Sequence, residues 1–201
     1  MKIKIPILLI LFRLFLGPIM IFLAYNIDQS INLLMVFLMW LGIISDVFDG
    51  IIARKLSVSS EKLRRMDSQT DLVFWLCVSW CAWVLHPEII KKNQIAIVII
   101  FIMEILTYVF SFLKFKKETC THAILSKMWG ILLVLCFTAI IGFGTDNYIF
   151  KITFIVGIFA HLDVYLIIFL LPKWMHDIPS CYHANQLRKG LPVKRHKIFN
   201  G

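Results

Sequence analysis

The chain has 201 residues, 60% of them hydrophobic, with 21 Lys and Arg against 12 Asp and Glu and a mean hydropathy of +0.83. Apolar runs this long and this frequent exclude a water-soluble globular domain. The formal charge of +9 does not point to nucleic acid, because the basic residues gather in short segments flanking the apolar runs, where membrane topology and anionic headgroups already demand them.

Six spans are predicted in chain order, at 5–25, 31–53, 67–86, 94–113, 126–144 and 149–172, each near the ~20 residues that a ~30 Å hydrocarbon core requires. The expected fold is an all-α integral membrane protein with a six-helix transmembrane domain over 1–172 and a basic tail over 173–201. The first apolar run starts at Ile5, is too long for a signal peptide and ends in no small-residue cleavage site, so it is expected to stay as a helix. Connections near Asp28, Pro87 and Asp146 are short, whereas 54–66 and 114–125 are longer and polar, and Pro179 and Pro192 break the tail.

When loops are assigned alternately to two sides, Lys2, Lys4, Arg54, Lys55, Lys62, Arg64, Arg65, Lys114, Lys116, Lys117 and Lys127 share a side. The tail's Lys173, Arg188, Lys189, Lys194, Arg195 and Lys197 join them, against Lys91, Lys92 and Lys151 opposite. The positive-inside rule then puts both termini in the cytoplasm. Cys77 and Cys81 are i,i+4 on the third span, Cys120, Cys136 and Cys181 are scattered, and no zinc spacing appears, so all five read as buried small hydrophobes.

The second and third spans carry the chemistry. Asp46, Asp49, Gly50 and Ala53 fall at i, i+3, i+4 and i+7, one stripe of a helix, and Asp67 and Asp71 are i,i+4 on the next. An ionised Asp deep in a bilayer helix costs roughly 2.5–3.5 kcal/mol on insertion scales, so four near one interface need compensation. Carboxylates converging from two consecutive helices suit hard divalent cations such as Mg²⁺ or Mn²⁺, which leave positions open for phosphates. Gly50 and Ala53 would let a ligand approach the backbone closely. Two other readings stay open: helix-end residues paired with Arg54 and Arg64, or a carboxylate-lined cation or proton transporter, which would more naturally place its acids at the midplane.

Asp46-x-x-Asp49-Gly50-x-x-Ala53-Arg54, eight residues to position 63, and Asp67-x-x-x-Asp71 resemble the signature of the CDP-alcohol phosphotransferases, six-helix membrane enzymes. The resemblance implies a transferase of phospholipid biosynthesis that moves a phosphatidyl group from CDP-diacylglycerol to a small polar alcohol, releasing CMP. It implies that Asp46, Asp49, Asp67 and Asp71 hold two divalent cations and that Asp71 is the general base. Asp46, Gly50, Ala53 and Arg54 would bind the nucleotide. It also implies a homodimer in a bacterial inner membrane, with the site facing the cytoplasm. Leu63 stands where the family has a second glycine, and a bulky side chain there could crowd the nucleotide or impair catalysis. "IPILLILFR" resembles the opening of phosphatidylglycerophosphate synthases, with Ile7 and Ile10 where Asn and Thr commonly stand and only Arg13 retained, and this favours glycerol 3-phosphate as acceptor. "DSQTDLVF" is similar to phosphatidylserine synthases, so serine, inositol or another acceptor stays open.

Arg13 lies inside the first span and is expected to face the bundle or snorkel, with acceptor phosphate as a candidate ligand. Lys114, Lys116, Lys117, His122 and Lys127 line one polar connection, and of these Lys114 and Lys127 are the candidate acceptor contacts. Glu104, His161 and Asp163 read as polar packing between helices, and His176, Asp177 and His183 as parts of a tail lying on headgroups.

Overall fold

The protein is described by a computed structural model that covers residues 4–26, 31–56, 58, 60–119, 121 and 123–191. Lys2, Asp28, Cys120, His122, Pro192, Lys194, Arg195 and Lys197 lie outside the described residues. Among the described residues the regular elements are all helical, and six helices are long and apolar enough to cross a membrane. They are α1 (Lys4–Asn26), α2 (Asn32–Lys55), α3 (Glu61–Leu85), α5 (Gln94–Phe115), α6 (Ile124–Phe137) with the π-helical turn that extends its span to Gly142, and α7 (Tyr148–Leu170); the shorter α4 (Pro87–Lys92) and α8 (Cys181–Arg188) complete the order. Large apolar side chains such as Phe15, Phe22, Phe37, Ile95, Ile131 and Phe159 are exposed, as helices solvated by lipid require.

Three boundaries differ from the hydropathy reading, each for a local reason. Helix α3 begins at Glu61, more than a turn before its apolar stretch, because Ser60 Oγ accepts the Leu63 N–H at 3.2 Å and caps it. Pro87 sits at the first position of α4, where its missing N–H costs nothing, so the short connection near Pro87 is itself helical. The fifth span changes pitch: α6 passes into a π-helical turn at Thr138–Gly142, with Thr138 Oγ1 donating to the Val134 carbonyl at 2.7 Å.

The chain forms two compact units, Met1–Lys92 with Val134–Asn147, and Asn93–Leu133 with Tyr148–Gly201. In the first, α1 packs along both α2 and α3, which touch each other little. Met20, Met35, Met39, Phe74 and Val78 fill this unit's core, and Gly42 is required where α2 meets Phe74: a Cβ there would lie 2.4 Å from the ring. Trp40 Nε1 donates to Thr138 Oγ1 at 3.1 Å, tying α2 to the π-helical turn.

In the second unit α5 packs on α7, and α8 docks back on α7. Ala123, Val164, Ile167, Ile168, Leu171, Ile178 and Ala184 form its core. Part of the predicted tail is therefore folded: the Ile178 N–H donates to the Thr121 carbonyl at 2.7 Å, and the Ile124 N–H to the Pro179 carbonyl at 2.9 Å.

Candidate functional site

Arg13 is the centre of the first unit's polar cluster. Its Nη1 lies 2.5 Å from Asp46 Oδ1 and 3.4 Å from Asp49 Oδ2, and its Nη2 lies 2.6 Å from Asp67 Oδ1. Nε lies 3.1 Å from Asp71 Oδ1, an ion-pair contact that falls short of hydrogen-bond geometry. All four predicted carboxylates thus converge, although not by direct packing of α2 on α3. Helix α1 stands between those helices, and its guanidinium reaches Asp46 and Asp49 on one and Asp67 and Asp71 on the other. Arg13 is a cation that bridges them, and this role was missed in the sequence. The signal was available: a single Arg within the first span, in a chain whose next two spans carry four acids, is the natural countercharge.

Exposure divides the cluster. The Arg13 side chain is fully buried, those of Asp49 and Asp67 are 4% and 11% exposed, and those of Asp46 and Asp71 are 35% and 33% exposed. Asp49 and Asp67 lie nearer the α2–α3 connection, so the open carboxylates are the two lying farther along the helices.

The donor set fits a hard divalent cation. One oxygen from each of Asp46, Asp49 and Asp67 lies within 4.8 Å of the others, the all-oxygen donor set that hard divalent cations take. Gly50 is partly buried on the same helix, and a Cβ there would meet nothing nearer than Arg54 Nη1 at 3.9 Å. Ala53 is buried and Arg54 is exposed.

The remaining candidates belong to the second unit. Lys114 Nζ donates to the carbonyls of Ile168 and Phe169 at 2.9 and 2.8 Å, capping the end of α7. Lys127 is exposed in the first turn of α6. His161 is buried, with Nδ1 2.7 Å from the Gly157 carbonyl and Nε2 2.9 Å from Glu104 Oε2. Asp163 Oδ1 accepts the Cys181 N–H at 2.9 Å, satisfying a free donor at the start of α8. The neighbouring Asp163 carboxylate, together with burial, raises the Cys181 thiol above its ordinary range. His176 Nδ1 lies 2.7 Å from Asp177 Oδ2, and His183 Nδ1 lies 2.9 Å from Ser180 Oγ. Neither histidine belongs to a metal-compatible group among the described residues.

Comparison with curated proteins finds no match, and comparison with solved structures likewise finds none. The family model for CDP-alcohol phosphatidyltransferase matches residues 3–172, which takes in all six membrane-spanning helices and every member of the carboxylate cluster. The chain belongs to the CDP-alcohol phosphatidyltransferase family, transferases of substituted phosphate groups in phospholipid biosynthesis.

Proposed function

We propose that the protein transfers a phosphatidyl group from CDP-diacylglycerol to a small polar alcohol with release of CMP, glycerol 3-phosphate being the favoured acceptor. The observation that carries this reading is the convergence of Asp46, Asp49, Asp67 and Asp71 on buried Arg13, inside membrane-spanning helices with exposed apolar flanks. A donor with acyl tails and a charged head suits that setting, its tails among lipid-facing side chains and its pyrophosphate at the carboxylates. The opening-helix resemblance favours glycerol 3-phosphate as the acceptor. The one-sided distribution of basic residues supports cytoplasmic termini and a cytoplasm-facing site in a bacterial inner membrane. Family membership supports a homodimer.

In this reading Asp46, Asp49 and Asp67, with Asp71, hold two Mg²⁺ or Mn²⁺ ions. Cations held by these carboxylates would supply positive charge to the pyrophosphate and to the departing CMP. Asp71 takes the proton from the acceptor hydroxyl on a carboxylate oxygen, and its partial exposure leaves it within a substrate's reach. The hydroxyl oxygen then bonds to the lipid-linked phosphorus as the bond from that phosphorus to CMP breaks. Arg13 orients the carboxylates through its three nitrogens, Gly50 admits the nucleotide close to the backbone, and Arg54 supplies a cation beside it.

The test is metal-dependent CMP release from CDP-diacylglycerol by the purified protein in lipid, across glycerol 3-phosphate, serine, inositol and choline. Release with glycerol 3-phosphate is expected, and release with another acceptor alone would reassign it. Asp71→Asn should abolish turnover while leaving the melting temperature close to that of the unaltered chain, because the amide keeps the shape beside Arg13. Unchanged CMP release by that variant would overturn the base assignment.

A further inference from the structure

Three apolar side chains lie one helical turn from three charged ones, each on the side of the α2–α3 connection: Ile10 from Arg13 on α1, Ala53 from Asp49 on α2, and Leu63 from Asp67 on α3. They are 1%, 6% and 5% exposed and form one cluster, with Ile7 and Val58 packed against it. Two hydrogen bonds hold this cover in place. Ser60 Oγ accepts the Leu63 N–H at 3.2 Å, and the Val58 N–H donates to the Ala53 carbonyl at 3.0 Å, which folds the connection back under α2.

The neighbouring stripe of α2 stays open. Asp46 is partly exposed, Arg54 is exposed, and a Cβ at Gly50 would meet only the end of the Arg54 side chain, at 3.9 Å. The two small residues that helical spacing puts on one face therefore differ in surroundings: Gly50 borders space, and Ala53 is covered. Leu63, which departs from the family signature, and Ile7 and Ile10, which depart from the phosphatidylglycerophosphate synthase opening, thus fall in one cluster with Ala53.

We infer that Ile10 and Leu63 close the Ala53 side of the site, so that a cytidine diphosphate-linked donor is held along Asp46, Gly50 and Arg54 and makes no contact with Ala53. Leu63 is then a specificity-determining wall that ends the nucleotide cradle one helical turn early. The inference rests on the CDP-donor reading, and the experiment separates the two.

Gly50→Cys and Ala53→Cys are each made in the full-length chain in lipid and treated with N-ethylmaleimide, labelling being read by peptide mass spectrometry with and without CDP and Mn²⁺. Gly50→Cys should label readily and be protected by CDP with Mn²⁺. Ala53→Cys should stay unlabelled until Leu63→Ala is added. Labelling of Ala53→Cys alone as fast as Gly50→Cys, with protection by CDP, would overturn the inference. Labelling of Gly50→Cys with no protection by CDP would overturn the donor reading while leaving the cover over Ala53 in place. Gly50→Leu gives a readout independent of how the Ala53 variant folds: it should weaken CDP binding by at least about tenfold, and unchanged affinity would overturn the assignment of the open stripe.

Discussion

The Arg13 guanidinium is buried against Asp46, Asp49, Asp67 and Asp71. Removing one partner from a buried ionic cluster costs roughly 3–5 kcal/mol, because it leaves buried charge uncompensated, here at Asp49 and Asp67. Arg13→Gln is therefore expected to lower the melting temperature sharply in chelator, and added Mg²⁺ or Mn²⁺ should recover part of the loss. Thermal unfolding in the two buffers reads both effects, and equal melting temperatures for variant and parent in chelator would show that Arg13 is not the countercharge. Outside the membrane-spanning helices, Asp163 raises the Cys181 thiol, so less thiolate is present at a given pH and alkylation should set in only above the usual thiol range. Asp163→Asn should bring the onset to lower pH, as iodoacetamide labelling against pH would report. The positions of these acids were legible from helical spacing, whereas their partner showed only as a lone charge in the first span: Arg13 lies 33 residues from Asp46 and 54 from Asp67 in the chain, and no periodicity links them.

Between elements, polar pairs fasten apolar helices that gain little from hydrophobic association in lipid. Glu104 on α5 and His161 on α7 make one such link, and its proton arrangement follows from its neighbours. The Gly157 carbonyl can only accept, so Nδ1 carries the proton given to it, and Nε2 and Glu104 share one more. Glu104→Gln keeps a donor facing Nε2 and should be nearly neutral. Glu104→Leu strands a buried nitrogen and should cost about 1–3 kcal/mol, checked by thermal unfolding in detergent. Polar packing between helices was the expected role of this pair. Helix starts were less legible, because the Ser60 cap and the N-terminal Pro87 act through individual hydrogen bonds, or their absence, that a hydropathy window averages away.

For the whole molecule, the six apolar helices and the docked C-terminal segment carry different kinds of information. Ile178→Asp places a charge in the second unit's core, beside Leu171 and Ala184, and should release the segment around α8; rapid proteolysis after Leu171 is the expected sign, and unchanged resistance would show that the segment is not held by that core. Composition predicted a basic tail there, and only packing shows Ile178 and Ala184 buried in it.

Sequence by itself determined the membrane class, the number of spans and the two aspartate stripes, because hydrocarbon thickness and the 3.6-residue repeat act on neighbours in the chain. Tertiary structure alone decided that α1 stands between α2 and α3, that Arg13 gathers all four carboxylates, and that Ile10 and Leu63 cover Ala53 while Gly50 stays open. These are contacts between distant segments, set by which helix faces meet, and no local pattern encodes which faces those are.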